Sequence, residues 1–138
     1  MRKSLILLAI LFTFVACNND TADDIEDVND PASPSQVSLK YETIDLEAVE
    51  DYVADGYIVA DVREIDEFNE GHIPGAVHAP LSDLENNEFG PLQVDEKYVI
   101  ICRSGNRSIA ASNILIQEGF DIVNVSEGMS TWTGEIEY

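Results

Sequence analysis

Two apolar runs constrain this chain more than any other feature. Tyr57-Ile58-Val59-Ala60-Asp61-Val62 and Tyr98-Val99-Ile100-Ile101 are almost uninterrupted by polar residues. A strand with one wet face alternates apolar and polar side chains, whereas a strand covered on both faces does not. Covering both faces takes helices, and the intervening segments offer them. Thr43 to Asp45 supply caps for a helix whose Leu46, Val49, Tyr52 and Val53 share a face, and Gly56 stops it. An acidic helical turn covers 64–70, before the breakers Gly71, Pro74 and Gly75. A weaker helical stretch covers 81–88. A helix over 108–118 offers Ile109, Ile114 and Leu115 for packing and ends at Gly119. Shorter strands are expected over 37–41, 76–79 and 122–125. Strands alternating with helices predict an α/β fold with a mainly parallel sheet. In such sheets ligands bind beyond the carboxyl ends of the strands. Asp61 to Arg63 and Cys102 both stand at such ends.

Composition divides the rest of the chain. Its 138 residues suit a single domain. Seven basic and 27 acidic residues give a net charge of −20. So acidic a body is a poor partner for nucleic acid, whose phosphates need clustered Lys and Arg. Anionic membrane surfaces repel it in the same way. Two cysteines are too few for a disulfide scaffold.

At the N terminus, Met1-Arg2-Lys3 precedes an apolar run from Leu5 to Val15, and Ala16 stands before Cys17. The run has eleven residues, against about 20 for a membrane span. A charged start, a short apolar middle and a small residue at the cut site describe a secretory signal. Residues 1–16, ending in Phe14-Val15-Ala16 before Cys17, resemble a bacterial lipoprotein signal. The resemblance implies cleavage before Cys17, a lipid on Cys17, and a cell-envelope protein anchored on a periplasmic or surface face. Phe14 and Val15 depart from the commonest form of that signal. Ordinary cleavage near Ala16, giving a soluble secreted protein, is the alternative.

Removing Arg2 and Lys3 leaves five basic residues and a net charge of −22. A lipidated Cys17 leaves Cys102 as the one remaining thiol. In an oxidising compartment a lone thiol needs a reason, either burial or chemistry. Residues 18–36 hold six acidic residues and two prolines, with Ile25 and Val28 their only sizeable apolar side chains. Such a segment cannot bury enough surface to offset its ordering entropy, so 17–36 reads as a disordered acidic tether carrying the lipid. The folded domain is expected over 37–138, a length able to bury a core.

The chemistry gathers after the second apolar run. Cys102-Arg103-Ser104-Gly105-Asn106-Arg107-Ser108 joins a buried strand to a helix. The first turn of a helix leaves backbone N–H groups unpaired and carries partial positive charge. Successive N–H groups in a tight loop form an anion nest, and Gly105 supplies the conformational freedom for it. Arg103 and Arg107 place two of the five remaining cations in this loop. These surroundings favour the thiolate, the nucleophilic form of cysteine. The alternative is a small apolar residue ending a strand. Ser104 and Ser108 read equally as turn and cap residues or as part of the cradle. The two histidines and one free thiol make a poor metal set.

Five matches along 40–134 now combine. They are Asp61-Val62-Arg63-Glu64 with Phe68; Gly71-His72-Ile73-Pro74-Gly75-Ala76; Cys102 to Ser108; Glu118-Gly119-Phe120; and Glu127-Gly128 with Trp132. In this order the set resembles the rhodanese-like domain. The resemblance implies a central five-stranded parallel sheet with helices on both faces, and sulfurtransferase chemistry. It casts Cys102 as the residue that takes sulfane sulfur, holds it as a persulfide and passes it to a nucleophile. Residues 103–107 then match the loop whose N–H groups cradle the persulfide, with Ser108 beside it. No metal or organic cofactor is implied. Four residues separate Cys102 from Arg107. Phosphatases of related architecture have five, a wider cradle suited to a phosphoryl group, so the shorter loop suits a sulfur atom.

Around this centre, Asp61 and Arg63 are read as a buried supporting pair that braces the loop, with substrate contact by Arg63 as the alternative. His72 is read as structural and His78 as non-catalytic. Trp132 is read as core. Met129, where the family usually has a second glycine, either packs or lines the site mouth. The expected activity is sulfur transfer from a small anionic donor such as thiosulfate to a thiol or cyanide-like acceptor, protein thiols included. The alternative is a partner-dependent persulfide carrier or sulfur sensor with little turnover on small molecules.

Overall fold

The structure, a computed structural model, describes residues 40–138. The signal 1–16, Cys17 and the tether 18–36 lie outside the described residues, as does most of the strand expected over 37–41. The two apolar runs form β2 (Ile58–Asp61) and β4 (Lys97–Cys102), which pair in parallel near the middle of the sheet. With β1 (Glu42–Ile44), β3 (Val77–His78) and β5 (Asp121–Gly128) they make five parallel strands in the order β1-β5-β4-β2-β3. A 3-10 turn, Leu46–Ala48, and helix α1 (Val49–Ala54) join β1 to β2. The remaining crossovers run through α2 (Ile65–Asn69), α3 (Leu81–Leu84) and α4 (Asn106–Gln117).

Both faces of the sheet are covered, as uninterrupted apolar strands require. Ala60, Val62, Tyr98, Ile100, Cys102 and Ile122 pack with Leu84 of α3 and with Ala111 and Leu115 of α4. Val59, Val99, Ile101, Val123 and Val125 pack on the other face with Leu46, Val49 and Ile73. Full burial of one such aliphatic side chain stabilises the fold by about 1.5–3 kcal/mol. Leu115 is wholly buried at the α4 contact, so truncating it to alanine costs about 2–5 kcal/mol.

Several boundaries differ from those the sequence suggests. The first described strand is Glu42–Ile44, and Lys40 and Tyr41 before it are not strand; it pairs with Val123–Val125 and buries only Ile44. Helix α4 opens at Asn106 rather than at 108, because left-handed Gly105 turns the chain into it. Val53 and Ile109, expected to pack, are exposed. The stretch 81–88 is helical only through Leu84. β5 continues to Gly128, past the end of its apolar run.

Two details of register build the functional edge. Asp61 stands opposite Ile101, so the ends of β2 and β4 finish together. Between β4 and β5 the pairing slips: Ile100 faces Asn124, yet Cys102 faces Gly128. The extra residues of β5 bulge there, and a bulge bends the strand and re-aims its neighbours.

Candidate active site

Cys102 is the last residue of β4, 1% exposed, with its backbone fixed between β5 and the core. Its carbonyl accepts a hydrogen bond from the Met129 N–H at 2.9 Å. Its Sγ accepts one from the Gly105 N–H at 3.2 Å. That bond needs the chain to double back within three residues, and Gly105 does so at φ +88°. An L side chain rarely adopts such a conformation. A Cβ on Gly105 would also lie 2.3 Å from the Ser126 carbonyl oxygen. Gly128 serves the other wall: a Cβ there would lie 2.3 Å from the Cys102 carbonyl oxygen. Two glycines thus let two backbone segments, the Cys102–Gly105 loop and the end of β5, close on each other beside the sulfur.

The loop itself is shorter than the 103–107 the sequence suggests. Arg103, Ser104 and Gly105 form the loop, while Asn106, Arg107 and Ser108 belong to the first turn of α4. Ser108 is fully buried, and its hydroxyl faces the Gly105 and Val125 carbonyl oxygens at 2.9 and 3.3 Å. It therefore ties the loop to β5 and lends no donor to the sulfur. Ser104 and Asn106 are exposed.

The arginines differ from each other. Arg107 makes two hydrogen bonds to Glu67, 2.5 and 2.8 Å long. Arg103 extends into solvent, its side chain 64% exposed and 3.7 Å from Glu67. Glu67 is the functional residue that sequence reasoning missed; the only signal for it was the acidic turn over 64–70. The Arg107 hydrogen bonds lower the Glu67 carboxyl to about 2, against the opposing effect of its partial burial. Arg107 is pushed up in turn, first by the Glu67 hydrogen bond, with the charges of Glu67 and Cys102 adding to it. The loop's positive field is thus partly cancelled, and Arg103 is its freest cation.

Asp61 and Arg63 form a buried ion pair. Arg63 Nε donates to both Asp61 oxygens at 3.0 and 2.9 Å, and Nη2 donates to one of them at 2.6 Å. Nη2 also donates to the Gly71 carbonyl oxygen at 2.8 Å. The pair therefore braces the 64–71 segment that carries Glu67, and Arg63 also shares the lining of one cleft with Arg103. Both histidines hold the same segment. The His72 ring stacks on Phe68 and donates from Nδ1 to the Phe68 carbonyl oxygen at 3.1 Å. His78 Nε2 donates to the Arg63 carbonyl oxygen at 2.8 Å. Trp132 is half-buried against the α1 side of the core rather than enclosed in it.

A buried, strand-ending cysteine is thus held by the N–H of a left-handed glycine at the carboxyl edge of a parallel α/β sheet. The chain belongs to the rhodanese-like domain family, whose family model matches residues 45–135. It is 45% identical over 80 residues to YrkF of Bacillus subtilis, provisionally named a sulfur carrier protein, covering 57% of this chain and 43% of that one. It is 47% identical over 75 residues to YtwF of the same organism, provisionally named a sulfurtransferase, covering 54% and 72% respectively. The chain thus spans less than half the length of YrkF. Among solved structures, a rhodanese-related protein from Thermoplasma volcanium superposes with a TM-score of 0.64 at 34% identity, over 70% of this chain and 98% of that one.

Proposed function

We propose that the protein is a sulfurtransferase that moves sulfane sulfur through Cys102. The observation that carries this reading is the Gly105 N–H aimed at Cys102 Sγ from a loop that opens a helix and is flanked by Arg103 and Arg107. A donor such as thiosulfate approaches as an anion, and Arg103 is placed to meet it. The Cys102 thiolate attacks the outer sulfur of thiosulfate. A Cys102–sulfur bond forms, the donor's S–S bond breaks, and sulfite leaves with its electron pair. The negative charge of the resulting persulfide sits where backbone N–H groups and the helix start favour an anion. An acceptor thiolate or cyanide then attacks the outer sulfur, and Cys102 departs as thiolate. No net oxidation occurs, and the four residues between Cys102 and Arg107 suit a sulfur atom rather than a phosphoryl group.

The names of the two Bacillus relatives support sulfur transfer or carriage as the general role. A partner-dependent carrier is the second reading, favoured by the burial of Cys102 and by the similarity to YrkF. We further propose a lipid on Cys17 and a cell-envelope location, on the strength of residues 1–16 and the acidic tether. Incubation of the protein with thiosulfate followed by intact-mass measurement tests the transfer. The expected gain is one sulfur, about 32 Da, absent from Cys102→Ala. No gain from thiosulfate or polysulfide, with Cys102 still alkylatable, would overturn it.

A further inference from the structure

Beside the cradle lies a cleft of about 210 Å³, bordered by Arg63, Glu70, Arg103, Met129, Ser130 and Ile136. Backbone hydrogen bonds bind its near wall to the Cys102 loop. The Met129 N–H donates to the Cys102 carbonyl oxygen at 2.9 Å, and the Ser130 N–H and hydroxyl donate to the Arg103 carbonyl oxygen at 3.0 and 2.7 Å. The far wall comes from residues 135–138, outside the sheet. Glu137 pairs with His72 in an antiparallel bridge, exchanging N–H donors at 2.9 and 2.8 Å. Its carboxylate accepts from the Gly75 N–H at 3.1 Å, and Trp132 Nε1 donates to the Glu135 carbonyl oxygen at 3.0 Å. Ile136 is seated by a glycine: a Cβ on Gly71 would lie 2.6 Å from its Cγ2. These bonds hold Ile136 in place across from Met129.

The cleft is larger than an inorganic donor needs. Its lining runs from Arg103 to Ile136, further than a small sulfur oxyanion reaches. Its chemistry is divided. Met129 and Ile136 are apolar, Arg103 offers an exposed cation, and Glu70 adds a negative charge, so the cleft offers one exposed cation to one carboxylate. We propose that the cleft binds the organic body of the sulfur acceptor, an aliphatic thiol bearing one carboxylate. Ile136 and Met129 lie along its methylenes and Arg103 meets its carboxylate. Ile136 and Met129 are then the specificity-determining residues that favour such a thiol over cyanide. This rests on reading Cys102 as the sulfur carrier.

Two measurements on the full chain test it. The first is independent of sulfur transfer: amide NMR shifts on titration with butanoate, and with acetate as the short control. Butanoate is expected to shift Arg103, Met129, Ser130 and Ile136 and to bind at least fivefold tighter than acetate. Ile136→Ala and Met129→Gly are expected to remove that preference. The second compares persulfide transfer to 3-mercaptopropionate with transfer to cyanide. The ratio of the two kcat/KM values is expected to fall about tenfold in either variant, the equivalent of about 1.4 kcal/mol. Equal binding of butanoate and acetate, shifts elsewhere, or an unchanged acceptor ratio overturns the proposal. An Ile136-dependent butanoate preference in a protein that transfers sulfur to neither acceptor upholds the cleft and overturns the sulfur-transfer reading.

Discussion

Glu67 and Arg107 lie 40 residues apart in sequence and meet through two hydrogen bonds at the border of the Cys102 cradle. The contact joins α2 to the first turn of α4, so it fixes the position of the helix start behind the sulfur. It also sets the local charge. Arg107 is largely committed to Glu67, and Arg103 is left facing solvent.

The first prediction concerns that pair. The Glu67 carboxyl is lowered from its ordinary 4.5 to about 2 in the folded protein. A depressed acid adds stability that is complete above its unfolded value and is lost as pH falls through its folded value. Glu67→Gln is therefore expected to lower unfolding free energy at pH 7 by about 1–2 kcal/mol, allowing for partial solvent screening. The difference from the unsubstituted protein should narrow below pH 4.5 and vanish near pH 2. Urea unfolding at pH 7 and at pH 3 measures it; an equal difference at both would refute the assignment.

The second concerns the glycines that close the site. A Cβ on Gly128 would lie 2.3 Å from the Cys102 carbonyl oxygen and 2.4 Å from the Arg103 carbonyl carbon. Both obstacles are backbone, so β4 and β5 must part to admit it. Gly128→Ala is expected to cost about 3 kcal/mol and to abolish sulfur loading. Gly119→Ala is the control: its φ is also positive, +87°, but nothing lies within 4 Å of the new methyl. It should cost about 1–2 kcal/mol and leave loading unaltered. Thermal unfolding with mass measurement separates the two, and equal effects would contradict the geometry.

What the sequence reveals follows the range of the forces involved. β2, β4 and the Cys102 loop are legible because burial on both faces, and a strand running into a glycine loop, are local patterns. Glu67 is not legible, because its partner is 40 residues away and one acidic side chain among several carries no mark. β1 is not legible because its three residues bury only Ile44, whereas Val37-Ser38-Leu39-Lys40-Tyr41, mostly outside the described residues, alternates more clearly. The end of β5 is hidden because Ser126 and Glu127 are polar and exposed in the bulge. The seat of Ile136 is hidden because its wall is made by a backbone bridge to His72.

The third prediction concerns the buried pair. Asp61 and Arg63 side chains are 1% and 7% exposed, so neither charge is solvated without the other. Asp61→Leu alone is expected to cost about 3–5 kcal/mol, because it strands a buried guanidinium. The double variant Asp61→Leu, Arg63→Met should recover most of that loss, since no charge is left uncompensated. It should still fall short of the parent by about 1–3 kcal/mol, because the Gly71 carbonyl loses its donor. A thermodynamic cycle from chemical denaturation reads the coupling, and strictly additive single effects would show that the pair is not coupled.

The last prediction separates the two loop arginines and rests on the proposed sulfur transfer. Arg107 is anchored by Glu67, so Arg107→Ala should lower stability about as much as Glu67→Gln, and the double variant should add little to either. Arg103 packs against little, its side chain being 64% exposed, so Arg103→Ala should leave the unfolding midpoint unchanged. Its effect belongs to substrate capture. An exposed cation attracts an anionic donor through solvent, and that attraction is screened by salt. Arg103→Ala is therefore expected to raise KM for thiosulfate about fivefold at low ionic strength, by less at 0.5 M salt, with kcat little changed. Thiosulfate saturation curves at the two ionic strengths measure this. A salt-independent loss would mean that Arg103 acts by shaping the loop and not by its charge.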